Sequence, residues 1–318
     1  MPVKPAALSP GDTIGIVSPS SPSTYQSDLE RLRLWADGQG FTLKFYPHVN
    51  DKYGYLAGTD EDRAADLTAA FADPEVDAVL TMRGGFGGWR VVPHIDYDVI
   101  RANPKFFSGY SDTTAMHLAM ETKADLVTFY GAAGSSLIGK GYSRYTEKHF
   151  LRAMTSSEPL GEVEKDPDDP FTWAIREGVA EGTLRGGCLT LLAQSAGTPY
   201  QPDWSGAIVF FEDIGEQPYK LDAYITQLKL AGMFDRVAGV VVGEHVQCGS
   251  APYKPAYPYG SFTSEEVFRQ HLEPLGVPVM VGLPCGHGRH LATLPLGVNA
   301  RLDTGDMSLT ILEEATTA

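Results

Sequence analysis

The sequence predicts an α/β protein with a mostly parallel sheet covered on both faces, followed by a second, smaller α/β domain. Two observations carry this. Short β-branched or aromatic runs alternate with helix-period segments through the first half, as in strands joined by crossover helices. Past an acidic, proline-bearing stretch near the middle, a second series of apolar strand-like runs begins.

The first-half strands are TIGIVS from Thr13, FTLKFY from Phe41, DAVLTM from Asp77, KFFSGY from Lys105 and LVTFY from Leu126. Ser27 to Gly38 and Glu61 to Ala72 have helical character and lie between them. In such sheets the functional loops gather at the carboxyl ends of the strands. RGGFGG (Arg83 to Gly88) and GYSD (Gly109 to Asp112) both fall there.

The segment from about Glu158 to Gly178 has little periodicity and is expected to be a linker or inter-domain loop. The expected division is therefore 1–157, 158–180 and 181–318. The last part holds GTLRGGCLTLLAQSAGTPY, a strand-like AIVFFE, a helix-like Leu221 to Leu230 and a strand-like VAGVVVG. A Tyr/Pro-rich loop (Ala251 to Tyr259), VPVMVGLP and a final MSLTIL complete it.

The 318 residues, 43% hydrophobic and 20% charged, suffice for about two domains. A formal net charge of −15 argues against nucleic acid or an anionic membrane surface as partner, since both select basic footprints. The N-terminal segment has no long apolar run, and no later run reaches the length of a membrane span. Three cysteines, Cys188, Cys248 and Cys285, are too few and odd in number for a disulfide framework. A reducing, cytoplasmic setting is the expectation.

Ser111 sits where the apolar run at Phe106 and Phe107 gives way to a helical pattern, a good place for a nucleophile. Ser111 or Asp112 as a simple helix N-cap is the alternative. A serine nucleophile needs a base, itself oriented by a third group. Glu212, closing the run Ala207 to Phe211, and His287, in PCGHGRH, are polar residues at the ends of buried elements. A solvated turn for Glu212 and a structural role for His287 stand beside that reading. The RGGFGG glycines offer a backbone suited to N–H groups aimed at an oxyanion, with Gly85 and Asp112 as candidates; a plain βα turn is the other possibility. RGGFGG lacks dinucleotide spacing, because Arg90 takes the third glycine's place, and there is no Lys-Ser/Thr ending for a P-loop. HVQC (His245 to Cys248) and CGH (Cys285 to His287) suggest zinc only weakly, having no strong metal spacing.

Together these segments resemble the serine LD-carboxypeptidase family, which includes muramoyltetrapeptide carboxypeptidases and microcin C immunity proteins. The resemblance rests on RGGFGG, PKFFSGYSDTTAMH from Pro104, EGTLRGGCLTLLAQSAGTPY from Glu181, VFFEDIGEQPYKLD from Val209 and CGHGRHLATLPLG from Cys285. It implies an N-terminal Rossmann-like domain and a smaller C-terminal β/α domain. It further implies a Ser111, Glu212, His287 triad with Gly85 and Asp112 as oxyanion donors, no cofactor, no metal and a homodimer. The implied substrate is a small muropeptide, cleaved between an L-configured diamino acid centre and a terminal D-amino acid. The alternative within the family is hydrolysis of peptidyl or aminoacyl adenylates. Arg83 is a candidate clamp for the substrate carboxylate, or else a support for its own loop. Trp173 offers a stacking face for a purine, or else a packing anchor. Many relatives read GGN where this chain has Gly186, Gly187 and Cys188, and buried packing is the expected role of that cysteine.

Overall fold

The computed structural model describes residues 2–138, 142–168, 171–249 and 261–318. The expected Tyr/Pro-rich loop at Ala251 to Tyr259 lies outside them. Two compact units emerge. The first holds Met1–Leu160, Leu291–Val298 and Glu313–Ala318; the second holds Gly161–His290 and Asn299–Leu312.

The first unit runs β1 (Thr13–Val17), α1 (Ser27–Gln39), β2 (Thr42–Phe45), α2 (Asp60–Ala72), β3 (Ala78–Thr81), α3 (Gly88–Val91) and α4 (Tyr97–Ala102). It continues through β4 (Phe106–Gly109), α5 (Thr114–Ala124), β5 (Thr128–Tyr130) and α6 (Arg144–Thr155). Strands β1 to β5 are parallel, in the order β5-β4-β3-β1-β2. The central strands are buried along their length, as the residue runs demand when both faces are covered. Thr59 starts α2 through a capping box with Asp62, and Gly40 ends α1 in the left-handed conformation. Phe106 stacks on Phe129 at 4.1 Å, with the Phe150 ring of α6 edge-on to Phe106, forming the core beneath the sheet. The strand order reverses at β1 and β3, and the loops leaving these two strands meet there. The Ser21 N–H donates to Gly84 O and the Phe86 N–H to Ser21 Oγ. That is where doubly wound sheets open their ligand crevice.

One strand of this sheet comes from far along the chain. Leu294–Leu296 (β12, counting in chain order) pairs antiparallel with β5. The second unit contains β6 (Gly161–Glu162), β7 (Trp173–Arg176), β8 (Val179–Cys188), α7 (Leu189–Ser195), β9 (Ile208–Ile214) and α8 (Pro218–Leu230). It then adds β10 (Gly239–Val246), α9 (Ser264–Leu272), β11 (Val279–Leu283), β13 (Asn299–Asp303) and β14 (Ser308–Ile311). Its sheet order is β6-β14-β13-β8-β9-β10-β11-β7, with β8 to β11 parallel and the flanking strands antiparallel.

The stretch 158–180, expected as a linker, thus carries β6, β7 and the start of β8. Both short strands are sheet edges, satisfied on one side only, so they need little apolar sequence. Between β8 and β9 the backbones approach closely: a Cβ on Gly186 would lie 1.9 Å from Phe210 O, and its φ is 145°. Only glycine fits.

Candidate active site

Ser111 occupies a sharp turn between β4 and α5, with φ at 61°, in the left-handed region that serine rarely enters. Residues Ser111–Thr113 form one 3-10 turn before α5 begins. This strand-turn-helix shape is that of a nucleophile elbow. Neither Ser111 nor Asp112 caps the helix with its side chain. The N-cap alternative falls for Ser111, because a capping residue adopts extended rather than left-handed backbone, and for Asp112, because its carboxylate accepts from the Gly88 N–H instead.

The glycine loop lies against this turn. A Cβ on Gly84 would come 3.0 Å from Ser111 Cβ and 3.4 Å from its Oγ. The buried carboxylate of Asp112 accepts the Gly88 N–H at 2.7 Å, tying the two loops together. Burial raises the Asp112 pKa, against the opposing effect of hydrogen bonds from Ser20 and the glycine amides. Gly85, with φ at 121°, passes so near Ser21 that a Cβ would overlap its hydroxyl at 2.3 Å.

Behind the loop, the fully buried Arg63 of α2 donates to Gly87 O at 3.2 Å and to Pro19 O. Its Nε donates to Thr59 O at 3.3 Å, and its guanidinium also pairs with Asp60, which binds Arg90 at 2.9 Å as well. Arg63 and Asp60 escaped the sequence reading. The available signal was an Asp and an Arg three apart in the first turn of α2, a spacing that usually marks a solvated pair. Arg83, the candidate carboxylate clamp, donates to Thr24 Oγ1 at 2.9 Å and Pro22 O at 3.4 Å. Those bonds hold the glycine loop to the loop after β1.

In the second unit, Glu212 ends the apolar stretch of β9, ahead of the buried Asp213, and is completely inaccessible. His287 Nδ1 donates to Glu212 Oε2 at 2.7 Å. Since an ionised carboxylate only accepts, this bond fixes the Nδ1–H tautomer of the neutral ring and leaves Nε2 as the basic nitrogen. Burial acts to lower the His287 pKa. The hydrogen bond and charge of Glu212, with the charge of Asp213, outweigh it and raise the pKa above the ordinary histidine value.

The glycines flanking His287 have a structural reason. A Cβ on Gly286 would lie 2.4 Å from Glu212 Oε2, and one on Gly288 would lie 1.8 Å from Glu244 Oε2. Two carboxylates therefore press on the backbone either side of the imidazole. Glu244 was not singled out in the sequence, although it ends an apolar strand run just as Glu212 does.

Residues 14–131 match the LD-carboxypeptidase N-terminal domain and residues 181–302 the LD-carboxypeptidase C-terminal domain. A Bacillus subtilis protein named a probable murein peptide carboxypeptidase is 35% identical over 97% of this chain and 94% of its own. The chain belongs to the LD-carboxypeptidase family. Among solved structures, the muramoyltetrapeptide carboxypeptidase of Oxalobacter formigenes superposes with a TM-score of 0.82 at 31% identity, covering 96% of this chain and all (100%) of that one. The microcin C7 self-immunity protein known from Escherichia coli, solved in complex with aspartyl sulfamoyl adenosine, gives a TM-score of 0.87 at 28% identity, covering 99% and 100%.

This LD-carboxypeptidase family member departs from the GGN pattern at Cys188, which lies opposite Glu212 in the β8–β9 ladder. Its thiol is buried and faces Asp213 Oδ1 at 3.6 Å. Burial, then the charges of Glu212 and Asp213, push its pKa well above the ordinary thiol value, the environment of a buried packing cysteine rather than of a reactive one. Trp173, expected in a linker, lies in β7 paired with Val281, and the Arg269 guanidinium covers its ring at 4.5 Å. The weak zinc reading of HVQC and CGH finds no support. Among the described residues, the one grouping of histidine, cysteine or carboxylate ligands close enough to share an ion is Asp166, Asp168 and His290. There, Arg289 and His290 both bind the same Asp168 oxygen. Among the described residues, no helix is long and apolar enough to cross a membrane.

Proposed function

We propose that the protein is a serine carboxypeptidase that releases the terminal D-amino acid from murein tetrapeptides. It would cleave the amide between the L-configured centre of the third-position diamino acid and that terminal residue. Full-length likeness to murein peptide carboxypeptidases supports the substrate class. The observation that carries the chemistry is the 2.7 Å bond from His287 Nδ1 to a buried Glu212. It supports Nε2 as a general base held in one orientation.

In this mechanism Ser111 Oγ attacks the carbonyl carbon while His287 Nε2 takes its proton. The charge that develops on the carbonyl oxygen is met by the N–H groups of Gly85 and Asp112. Collapse breaks the C–N bond, and His287 returns the proton to the departing amine. Water then attacks the Ser111 ester with His287 again as base, freeing the tripeptide and the serine. Arg83 serves this reaction by holding the glycine loop, as its bonds to Thr24 and Pro22 favour. We further propose a homodimer in a reducing cytoplasm, in keeping with three free, buried cysteines.

The immunity protein's complex with aspartyl sulfamoyl adenosine supports a second reading, hydrolysis of aminoacyl or peptidyl adenylates. Trp173 already carries Arg269 on its ring, which weakens its case as the purine platform. The test is a side-by-side assay of a murein tetrapeptide and an aminoacyl sulfamoyl adenosine. Faster release of the D-amino acid supports the first reading, and preferential cleavage of the adenylate mimic replaces it with the second.

A further inference from the structure

A serine in the left-handed region persists only where its surroundings over-determine it. At Ser111 two buried side chains do much of this. The Ser111 N–H donates to Tyr130 Oη at 3.1 Å. Two residues earlier, Gly109 O accepts from His117 Nε2 at 2.9 Å and from the Gly131 N–H at 3.1 Å. His117 comes from α5 and Tyr130 from β5, so the turn is gripped by the element that follows it and by its neighbouring strand.

His117 is an unusual residue for packing alone. It is completely inaccessible and sits between the Phe107 and Tyr130 rings, at 5.3 and 5.9 Å. A carbonyl only accepts, so Nε2 carries the hydrogen, and Nδ1 is left with no hydrogen-bond partner among the described residues. A leucine would fill such a place without burying an unmet polar atom, which proteins rarely tolerate without a reason. The bond to Gly109 O supplies that reason. Tyr130 has a second effect. By engaging the Ser111 N–H, it leaves the Asp112 N–H as the next donor along the turn for an oxyanion.

We propose that His117 and Tyr130 are positioning residues that hold the Ser111 turn in its left-handed conformation and so set the aim of the nucleophile. The inference rests on Ser111 being the nucleophile of the reaction proposed above. Neither residue touches substrate; both act through the backbone of Gly109 and Ser111.

Three variants test it: Tyr130→Phe, which removes one oxygen; His117→Leu, which fills the space without a donor; and His117→Gln, which restores an N–H. The measurements are kcat and KM for D-amino acid release from murein tetrapeptide, and the rate at which a fluorophosphonate labels Ser111, located by peptide mapping. Tyr130→Phe and His117→Leu should slow kcat and labelling in parallel, by about 10- to 100-fold, as small misplacements of a reacting group do. KM should stay nearly constant, and His117→Gln should recover most of the labelling rate. Wild-type kcat and labelling in folded Tyr130→Phe overturns the proposal. So does a His117→Gln variant as slow as His117→Leu, which would mark His117 as packing only. If His117→Leu does not fold, Tyr130→Phe and His117→Gln carry the test. A wild-type protein that is labelled at Ser111 but inert toward tetrapeptide removes the substrate reading alone, because slowed labelling of the variants still supports positioning.

Discussion

Gly286 lies directly against the carboxylate of Glu212, so closely that a Cβ there would meet Oε2 at 2.4 Å. The same carboxylate holds His287, the next residue along the chain. The geometry of the proposed base therefore depends on the absence of one methyl group.

Gly286→Ala should displace Glu212 from the imidazole and also strain a backbone with φ at 126°. We expect kcat to fall by about 100-fold or more with little change in KM, since the base is misaligned while substrate contacts remain. Steady-state kinetics of D-amino acid release checks this; unchanged kcat would mean that the contact yields without cost.

The pH profile follows from the raised His287 pKa. As the base, His287 must be neutral, so kcat/KM should rise with pH through an acid limb lying above the ordinary histidine value of 6.5. Glu212→Gln removes the carboxylate charge that raises the pKa. The limb should move to lower pH and the plateau should drop. A limb that stays in place while the plateau drops would contradict the assignment of His287 as the titrating base.

His117 predicts a pH effect on stability. Burial pushes its pKa down to about 4, from 6.5, against its bond to Gly109 O. As pH falls, the unfolded chain takes up this proton first. The contribution is therefore complete above pH 6.5 and lost progressively between 6.5 and 4, amounting to about 3 kcal/mol. Urea titrations of wild type and His117→Gln should show a shallower acid decline in the variant, and parallel declines would refute the buried neutral ring.

Arg63→Met should be costly, because the residue supports the glycine loop from behind. It strips the buried donors from Gly87 O and Pro19 O and leaves Asp60 with Arg90 alone. We expect a loss of about 3 kcal/mol, and slower turnover in the folded fraction because the glycine loop loosens. Chemical denaturation and active-site titration measure the two effects separately.

Cys188→Ala should leave turnover within a few-fold of wild type, because the thiol is protonated and buried. A near-complete loss of activity would revive a thiol role.

The alternation of buried runs and helical segments made the first sheet legible, since parallel strands covered on both faces must be continuously apolar. Ser111, Glu212 and His287 stood out because each is polar at the end of a buried element. Edge strands did not stand out. β12 joins the first sheet across most of the chain, while β6 and β7 sit in acidic, proline-bearing sequence, and none has a local pattern strong enough to announce it. Arg63 was hidden for a different reason. A charged residue in a helix reads as solvated unless its partners are known, and Pro19 O and Gly87 O are backbone atoms with no sequence signature. His117 and Tyr130 were lost among apolar neighbours, since a buried polar side chain looks like any other core position until its hydrogen bonds are seen.

The whole proposed mechanism turns on Ser111 as the nucleophile of an LD-carboxypeptidase. Its most direct test is release of the terminal D-amino acid from a murein tetrapeptide by wild type and Ser111→Ala, both verified as folded. We expect turnover by wild type and a loss of about 1000-fold or more in the variant. Turnover by Ser111→Ala close to that of wild type would contradict the mechanism.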